Sequence, residues 1–164
     1  MPIDIRPIAP DDIPAIANLA RTTWFDTYTG TISPEQIEYM LAQRYDYGCL
    51  RADIDNPQKW LHQAYLDGTL AGFAACEICK GEFKLDKLYI HPDMQHQGIG
   101  AALVGHAVTL AREQGFSSMI LAVNKQNKQA IRAYTRYGFH VRDKIVIDIG
   151  CGFVMDDYVM EKVF

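Results

Sequence analysis

The segment Gln95-His96-Gln97-Gly98-Ile99-Gly100 joins a predicted strand, which ends at Pro92, to a predicted helix over residues 98–115. The first backbone N–H groups of a helix have no partner inside it, and the helix dipole adds partial positive charge there. Glycines let an anionic group approach such a backbone closely. This segment, called the Gln95–Gly100 loop below, therefore predicts a phosphate or pyrophosphate site. The loop alone is also compatible with an ordinary helix N-terminus that contains glycine and binds no ligand.

Two familiar phosphate-binding loops do not fit this segment. A Walker loop requires Gly-Lys-Ser/Thr, whereas Gly100 is followed by Ala101 and Ala102. A dinucleotide fingerprint carries three glycines inside a parallel βαβ unit. Here the motif has two glycines, and the strands before it alternate like an antiparallel meander. Both loop types are therefore excluded.

Strands and helices mix on either side of the loop. Alternating patterns and turn residues such as Asp67-Gly68 predict strands over residues 3–8, 60–66, 70–77, 83–91, 118–123, 141–149 and 153–163. Caps and helical periodicity predict two helices that begin after Asp12 and Ser33, then helices over residues 98–115 and 127–137. Without a linker or repeat, this order predicts a single domain over residues 1–164 of the α/β (α+β) class.

The composition is that of an ordinary globular protein, with 49% hydrophobic and 22% charged residues among 164. The net charge of −4 argues against a nucleic-acid partner, which requires a basic face. No apolar run approaches the length of a membrane span, and the N-terminus does not resemble a signal peptide. We therefore expect neither a nucleic acid nor a membrane as partner, and a cytoplasmic location.

The four cysteines do not predict a metal site. Cys76 and Cys79 form a Cys-x-x-Cys pair, but no second pair follows, and both lie in a predicted strand. We interpret them, with Cys49 and Cys151, as reduced thiols, and we expect no metal.

A second informative segment runs from Asn127 to Phe139. Asn127 is a natural helix N-cap, and Gly138 is a natural helix stop. Ala130 and Tyr134 are four residues apart and therefore share one helix face. A tyrosine on that face can present its hydroxyl to a ligand, although a single tyrosine can equally pack in a core or an interface.

Together the two segments resemble the GNAT acetyltransferases. Gln95-x-x-Gly98-x-Gly100 is similar to the family's Gln/Arg-x-x-Gly-x-Gly/Ala motif, and Asn127-x-x-Ala130-x-x-x-Tyr134 is similar to its second cofactor motif. The residues Lys87–Pro92 resemble the family's fourth strand, and the elements follow the family's order along almost the whole chain. One position departs from the pattern, since many members have glycine where this chain has His96.

The resemblance implies the GNAT fold, a mixed and mostly antiparallel sheet of about seven strands flanked by about four helices. It also implies an acetyl-CoA-dependent N-acetyltransferase whose pantetheine arm lies between splayed fourth and fifth strands. Tyr134 matches the position of the usual proton donor to the leaving thiolate, so we expect it to act as general acid. The residues expected to contact acetyl-CoA are Leu88, Tyr89, Ile90, Gln95, His96, Gln97, Gly98, Ile99, Gly100, Ala101, Asn127 and Tyr134.

The general base is less well defined by the sequence. Glu82 and Asp86 are the candidates because they alternate on the strand expected to lie beside the cofactor, with Glu77 on the neighbouring strand. Position 84, where some family members have glutamate, is lysine here. The alternative is that all three acids are solvated surface charges.

The acceptor is expected at the segment from Trp24 to Tyr28, which in this family forms one wall of the acceptor site. Aromatic rings beside Asp26 can hold a cationic amine, and the alternative for Trp24 is core packing. The candidates for substrate binding are Trp24, Asp26, Tyr28 and Asn124.

The chain also resembles the PaiA-type subgroup of polyamine acetyltransferases, in Phe25–Tyr28, Ser33–Glu35, Leu85–Tyr89 and Asp148–Lys162. This implies a small amine such as spermidine or spermine, with Asp156 and Asp157 adding negative charge. The alternatives are acetylation of a protein or peptide N-terminus or lysine, and a non-catalytic acetyl-CoA-binding regulatory module. The sequence leaves open a monomer or a homodimer.

Overall fold

The computed structural model describes residues 2–164. In this range the strands are β1 Ile3–Pro7, β2 Lys59–Leu66, β3 Thr69–Cys79, β4 Glu82–Ile90, β5 Ser118–Asn124, β6 His140–Gly150 and β7 Phe153–Val163. The α-helices are α1 Ile13–Tyr28, α2 Pro34–Arg44, α3 Tyr47–Asp55, α4 Ile99–Glu113 and α5 Lys128–Arg136. The strands form one sheet in the order β1-β2-β3-β4-β5-β7-β6. The predicted mixed, mostly antiparallel sheet is confirmed, with one helix more than expected.

The N-terminal helices show which local signals the chain carries. The Ser33 hydroxyl accepts a hydrogen bond from the Gln36 backbone N–H at 3.1 Å, which is the predicted cap of α2. The aromatic segment Trp24–Tyr28 forms the last turns of α1. Helix α3 was not predicted, although the Asp46 carboxylate caps it by accepting from the Cys49 N–H at 2.7 Å.

Two hydrophobic cores cover the two faces of the sheet. The core under α1, α2 and α3 contains Trp24 and Phe73, which are almost completely buried. The core under α4 contains Leu103 and Met119, together with the inward-facing side chains of β5. The sheet therefore separates two helical layers, and any cleft that cuts through it borders both.

Such a cleft opens between β4 and β5. These two strands are parallel and share a single register pair, Lys84 with Ile120, whereas the other neighbouring strands run antiparallel. Beyond that pair, within residues 2–164, the strands diverge toward their carboxyl ends. On the other side of β4, a Cβ at Gly72 would lie 2.6 Å from the Tyr89 carbonyl oxygen, so only glycine allows β3 to approach this strand so closely.

Candidate functional site

The cleft between β4 and β5 has a volume of about 650 Å³ and is bordered by the Gln95–Gly100 loop, α5 and the end of α1. It brings together most of the residues predicted from the sequence: Asp26, Tyr28, Asp86, Leu88, Tyr89, Ile90, Gln95, His96, Gly98, Ile99, Gly100, Asn127 and Tyr134. The predicted residues that do not line it are Trp24, Glu82, Gln97, Ala101 and Asn124.

The Gln95–Gly100 loop has the geometry of an anion site. Gly98 is the N-cap of α4 and has φ = +83°, in the left-handed region that favours glycine. The first helical hydrogen bond here runs from the Ala102 N–H to the Gly98 carbonyl, so the N–H groups of the first turn have no helical partner. His96 has φ = +65°, in the left-handed region that favours glycine, the residue that the family resemblance leads us to expect at this position.

Helix α5 closes the other side of the loop. The Gln129 side-chain amide donates to Oε1 of Gln95 at 3.2 Å, which joins the helix to the loop. Lys128, Arg132 and Arg136 line the cleft and recur every four residues, so they form one basic stripe along the helix. This stripe was not predicted, although three cations at intervals of four residues are visible in the sequence.

Tyr134, on the same helix, also lines the cleft. Its ring packs against Phe139 with centroids 5.9 Å apart, and its hydroxyl makes no hydrogen bond to another residue of 2–164. Burial raises the pKa of this hydroxyl, and the nearby Tyr89 and Tyr137 add to the effect. Tyr134 therefore stays protonated near neutral pH and can donate a proton or a hydrogen bond.

Trp24 belongs to the core and supports the cleft from behind. It is 2% exposed, and its indole N–H donates to the Tyr89 hydroxyl at 3.0 Å. The Tyr45 hydroxyl donates to the same oxygen at 2.9 Å. Tyr28 packs on Trp24 with ring centroids 4.7 Å apart and does line the cleft. The two donors therefore fix the Tyr89 side chain on β4, and Tyr28 forms the aromatic wall.

The acids that were candidates for the general base lie in different environments. Asp86 lines the cleft, and both its oxygens accept from Nη2 of Arg44 at 3.0 Å, while Lys87 lies 2.9 Å away. Burial opposes ionisation of Asp86, but Lys87, Arg44 and Lys84 outweigh it and hold its pKa well below the usual range. A carboxylate held in this way is a weak base.

Glu82 and Glu77 lie away from the cleft. The Glu82 carboxylate accepts two hydrogen bonds from Arg142, at 2.6 and 3.2 Å, and these lower its pKa. Glu77 lies 3.5 Å from Lys59 on the neighbouring strand. The polar side chains at the end of β5 serve local structure, since Oδ1 of Asn124 accepts from the Gln126 N–H at 2.8 Å. Asn127 similarly caps α5 by accepting from the Ala130 N–H.

All four cysteines are free thiols, and burial, with Asp86 adding, raises the pKa of Cys76 to about 12. Within residues 2–164, no group of three or more His, Cys, Asp or Glu side chains is arranged to hold a metal ion. None of the helices in that range is long and apolar enough to cross a membrane.

Comparison with known proteins gives a consistent result. The sequence profile of the acetyltransferase (GNAT) family matches residues 13–139. Spermidine N(1)-acetyltransferase from Thermoplasma acidophilum is 31% identical over 99% of this chain and 98% of the relative. The crystal structure of PaiA N-acetyltransferase from Thermoplasma acidophilum in complex with coenzyme A is 30% identical, covers both chains completely and has a TM-score of 0.87. A GCN5-related N-acetyltransferase from Rhodopseudomonas palustris, at 21% identity and a TM-score of 0.84, shares the fold across 100% of this chain and 97% of its own.

Proposed function

Because this chain belongs to the acetyltransferase (GNAT) family and uses acetyl-CoA as its acetyl donor, we propose that its acceptor is a small polyamine such as spermidine or spermine. The observation that carries this proposal is the 31% identity to a spermidine acetyltransferase over almost the full length of both chains. Asp26, an exposed carboxylate beside Tyr28 in the cleft, supports recognition of a cationic amine.

The residues present in the cleft fit acetyl-CoA. The free N–H groups after Gly98 suit a pyrophosphate, and the backbone of Leu88–Ile90 suits the amide groups of a pantetheine arm. Lys128, Arg132 and Arg136 provide positive charge for a multiply negative molecule, in a chain whose net charge is negative. All these groups lie in one sheet and the helices packed on it, and we propose that a single domain carries the whole reaction.

The mechanism follows from the groups in the cleft. When bound, acetyl-CoA supplies an activated acetyl thioester. The β4 backbone polarises the thioester carbonyl, as donors in an oxyanion hole do. Tyr134 lines the cleft with a hydroxyl that is protonated at neutral pH, and it donates a proton to the departing sulfur. The acceptor amine must lose a proton before it attacks, and a group on the acceptor side of the cleft must receive that proton.

The proposal is tested by release of free thiol from acetyl-CoA with a panel of polyamines, amino acids and peptides. We expect release to be fastest with spermidine or spermine. Release with peptides but not with polyamines would assign protein or peptide acetylation instead. Binding of acetyl-CoA without thiol release for any amine would favour the non-catalytic module.

A further inference from the structure

Asp157 on β7 is a buried acid with an unused oxygen. Asp157 is 7% exposed, and its Oδ1 has no hydrogen-bond partner within residues 2–164. Asp157 lies directly opposite Asn124 in the β5–β7 register, and Asn124 ends the strand that borders the cleft. A buried carboxylate oxygen without a partner is costly, so its persistence points to a role in the occupied site.

The side chain of Asp157 lies on the acceptor side of the sheet. Met155, two residues earlier on β7, packs into the core under α1, α2 and α3. Side chains two residues apart on a strand share a face, so Asp157 points toward those helices. Tyr158 and Met160 pack into the core under α4, on the opposite face. Asp157 therefore lies on the same side as the aromatic wall formed by Tyr28.

The charges around Asp157 differ from those around Asp86. Burial raises the pKa of Asp157, and the neighbouring Asp156 raises it further. The cations Lys84, Arg44 and Lys125 act in the opposite direction without reversing the shift.

Asp157 does not itself line the cleft, but its register partner Asn124 directly follows Val123, which does. Burial is the main cause of the raised pKa of the Tyr28 hydroxyl; Tyr89, Tyr134 and, last, Asp157 add to it, while Asn127 opposes it. Two carboxyl groups beside one cleft, with pKa values displaced in opposite directions, can divide the roles of fixed charge and proton carrier. Asp86 has the properties of the fixed charge.

We propose that Asp157 is the proton acceptor of the acetyl transfer, an inference that rests on the proposed function. A proton passes from the ammonium group of the acceptor to Oδ1 of Asp157, directly or through one water molecule. The amine nitrogen then bonds to the acetyl carbon as the C–S bond breaks.

Tyr134 protonates the departing sulfur and recovers a proton from the nitrogen, which becomes the amide. Asp157 afterwards releases its proton to solvent. One ammonium ion and one thioester thus yield one amide, one thiol and one proton.

The other acids of the site are less suited to this role. Asp86 is held ionised by three cations, and the Glu82 carboxylate already accepts two hydrogen bonds from Arg142, which lower its pKa. Asp26 is exposed at the end of α1, where it can attract a cation. A base that works near neutral pH benefits from a raised pKa, and Asp157 has both a raised pKa and a buried oxygen without a partner.

The test compares Asp157→Asn with Asp156→Asn, a matched change at the adjacent, outward-facing residue that pairs with Lys125. Each variant is assayed at saturating acetyl-CoA and amine across pH, so that kcat reports ionisations of the bound complex. We expect Asp157→Asn to lower kcat about 100-fold and to abolish the acidic limb of the profile, with unchanged affinity for acetyl-CoA. We expect Asp156→Asn to keep kcat within about twofold and to move that limb to lower pH, because a negative charge beside Asp157 is lost.

Two results would overturn the inference. The first is an Asp157→Asn enzyme that retains wild-type kcat and the same acidic limb. The second is a carboxyl NMR titration of the wild-type enzyme with coenzyme A in which Asp157 ionises at the ordinary value of an aspartate. This titration also decides the matter if Asp157→Asn fails to fold.

The acceptor panel separates this inference from the proposed function. If a peptide is the better acceptor, the polyamine assignment fails, and the Asp157 comparison is made on that peptide. If the wild-type enzyme acetylates no amine, both fail.

Discussion

Tyr134 lines the cleft, and its hydroxyl has a raised pKa and no hydrogen-bond partner among residues 2–164, so its role in turnover can be tested directly. Tyr134→Phe removes only the proton donor, so we expect kcat to fall about 100-fold while the Kd for acetyl-CoA changes less than about twofold. Thiol release and calorimetric titration measure the two quantities. Tyr47→Phe, on the exposed surface of α3, is the control. Unchanged turnover in Tyr134→Phe would remove this residue from the mechanism.

His96 tests whether the Gln95–Gly100 loop acts through its backbone. Its φ of +65° is accessible to histidine but poor for a β-branched residue. We expect His96→Gly to bind acetyl-CoA as the wild type does. His96→Val should lower the free energy of unfolding by about 1–2 kcal/mol and bind acetyl-CoA more weakly, because valine disfavours this backbone conformation. Calorimetric titration of both variants decides the point: a large loss in His96→Gly would mean that the imidazole itself contacts the cofactor.

His96 and Asp157 differ in how far their roles can be predicted from the sequence. The departure at His96 was visible because it falls inside a motif whose spacing is fixed by a local turn. Asp157 was visible only as one of two adjacent acids. Its burial and its unpartnered oxygen depend on the register of β5 with β7, which is a long-range contact.

Helix α5 presents a stripe of positive charge to the cleft, so we expect its three cations to contribute to acetyl-CoA binding together. Lys128, Arg132 and Arg136 are exposed, and each such cation contributes about 0.2–1 kcal/mol. We expect the triple change to Gln to raise the KM for acetyl-CoA about tenfold, which corresponds to about 1.4 kcal/mol. The KM should also depend less on salt, because fewer charges are screened.

The matched control for α5 is Lys144→Gln, which removes a cation from β6, outside the cleft. Steady-state kinetics at low and high salt distinguish the variants. Equal KM values for the triple variant and the control would show that the stripe does not contact the cofactor.

The elements that were predicted from sequence are those with local signals. Asp67-Gly68 sets the β2–β3 hairpin, and Ser33 caps α2 through its own side chain. Helix α3 was not predicted because Leu50 is its only buried residue, so its sequence has no apolar stripe with helical spacing. The single register pair between β4 and β5 could be expected only through the family resemblance, because strand divergence depends on contacts between distant parts of the chain.

Across the molecule, a network of ion pairs connects α2 and α3 to the sheet. Lys87 is 5% exposed and lies 2.9 Å from Asp86 and 3.6 Å from Asp53, so it joins β4 to α3. Arg44 on α2 also pairs with Asp86, which connects α2 to β4. Lys59 on β2 pairs with Asp53, which connects β2 to α3. Because the pKa of Asp86 is depressed, its contribution to stability is complete above the ordinary aspartate pKa and is lost only in stronger acid.

On the other face of the sheet, under α4, a histidine pair makes stability depend on pH in a different range. His62 on β2 and His106 on α4 have ring centroids 4.3 Å apart, and within residues 2–164 Nε2 of His106 has no hydrogen-bond partner. Burial lowers the pKa of both rings, and the neighbouring His106 helps to bring His62 to about 4. An unfolded chain, with a histidine pKa near 6.5, therefore binds protons more readily than the folded protein between about pH 6.5 and 4.

The contribution of this pair to stability is therefore complete above about pH 6.5 and declines as the pH falls toward 4. We expect Tm to fall between pH 7 and pH 5, a range in which Asp86 stays ionised and contributes no change. Thermal unfolding of His62→Gln should show a smaller fall, because one of the two groups that resist protonation is gone. His140→Gln, at an exposed position on β6, should keep the wild-type slope. Equal slopes in all three proteins would mean that the loss of stability in acid originates outside the His62–His106 pair.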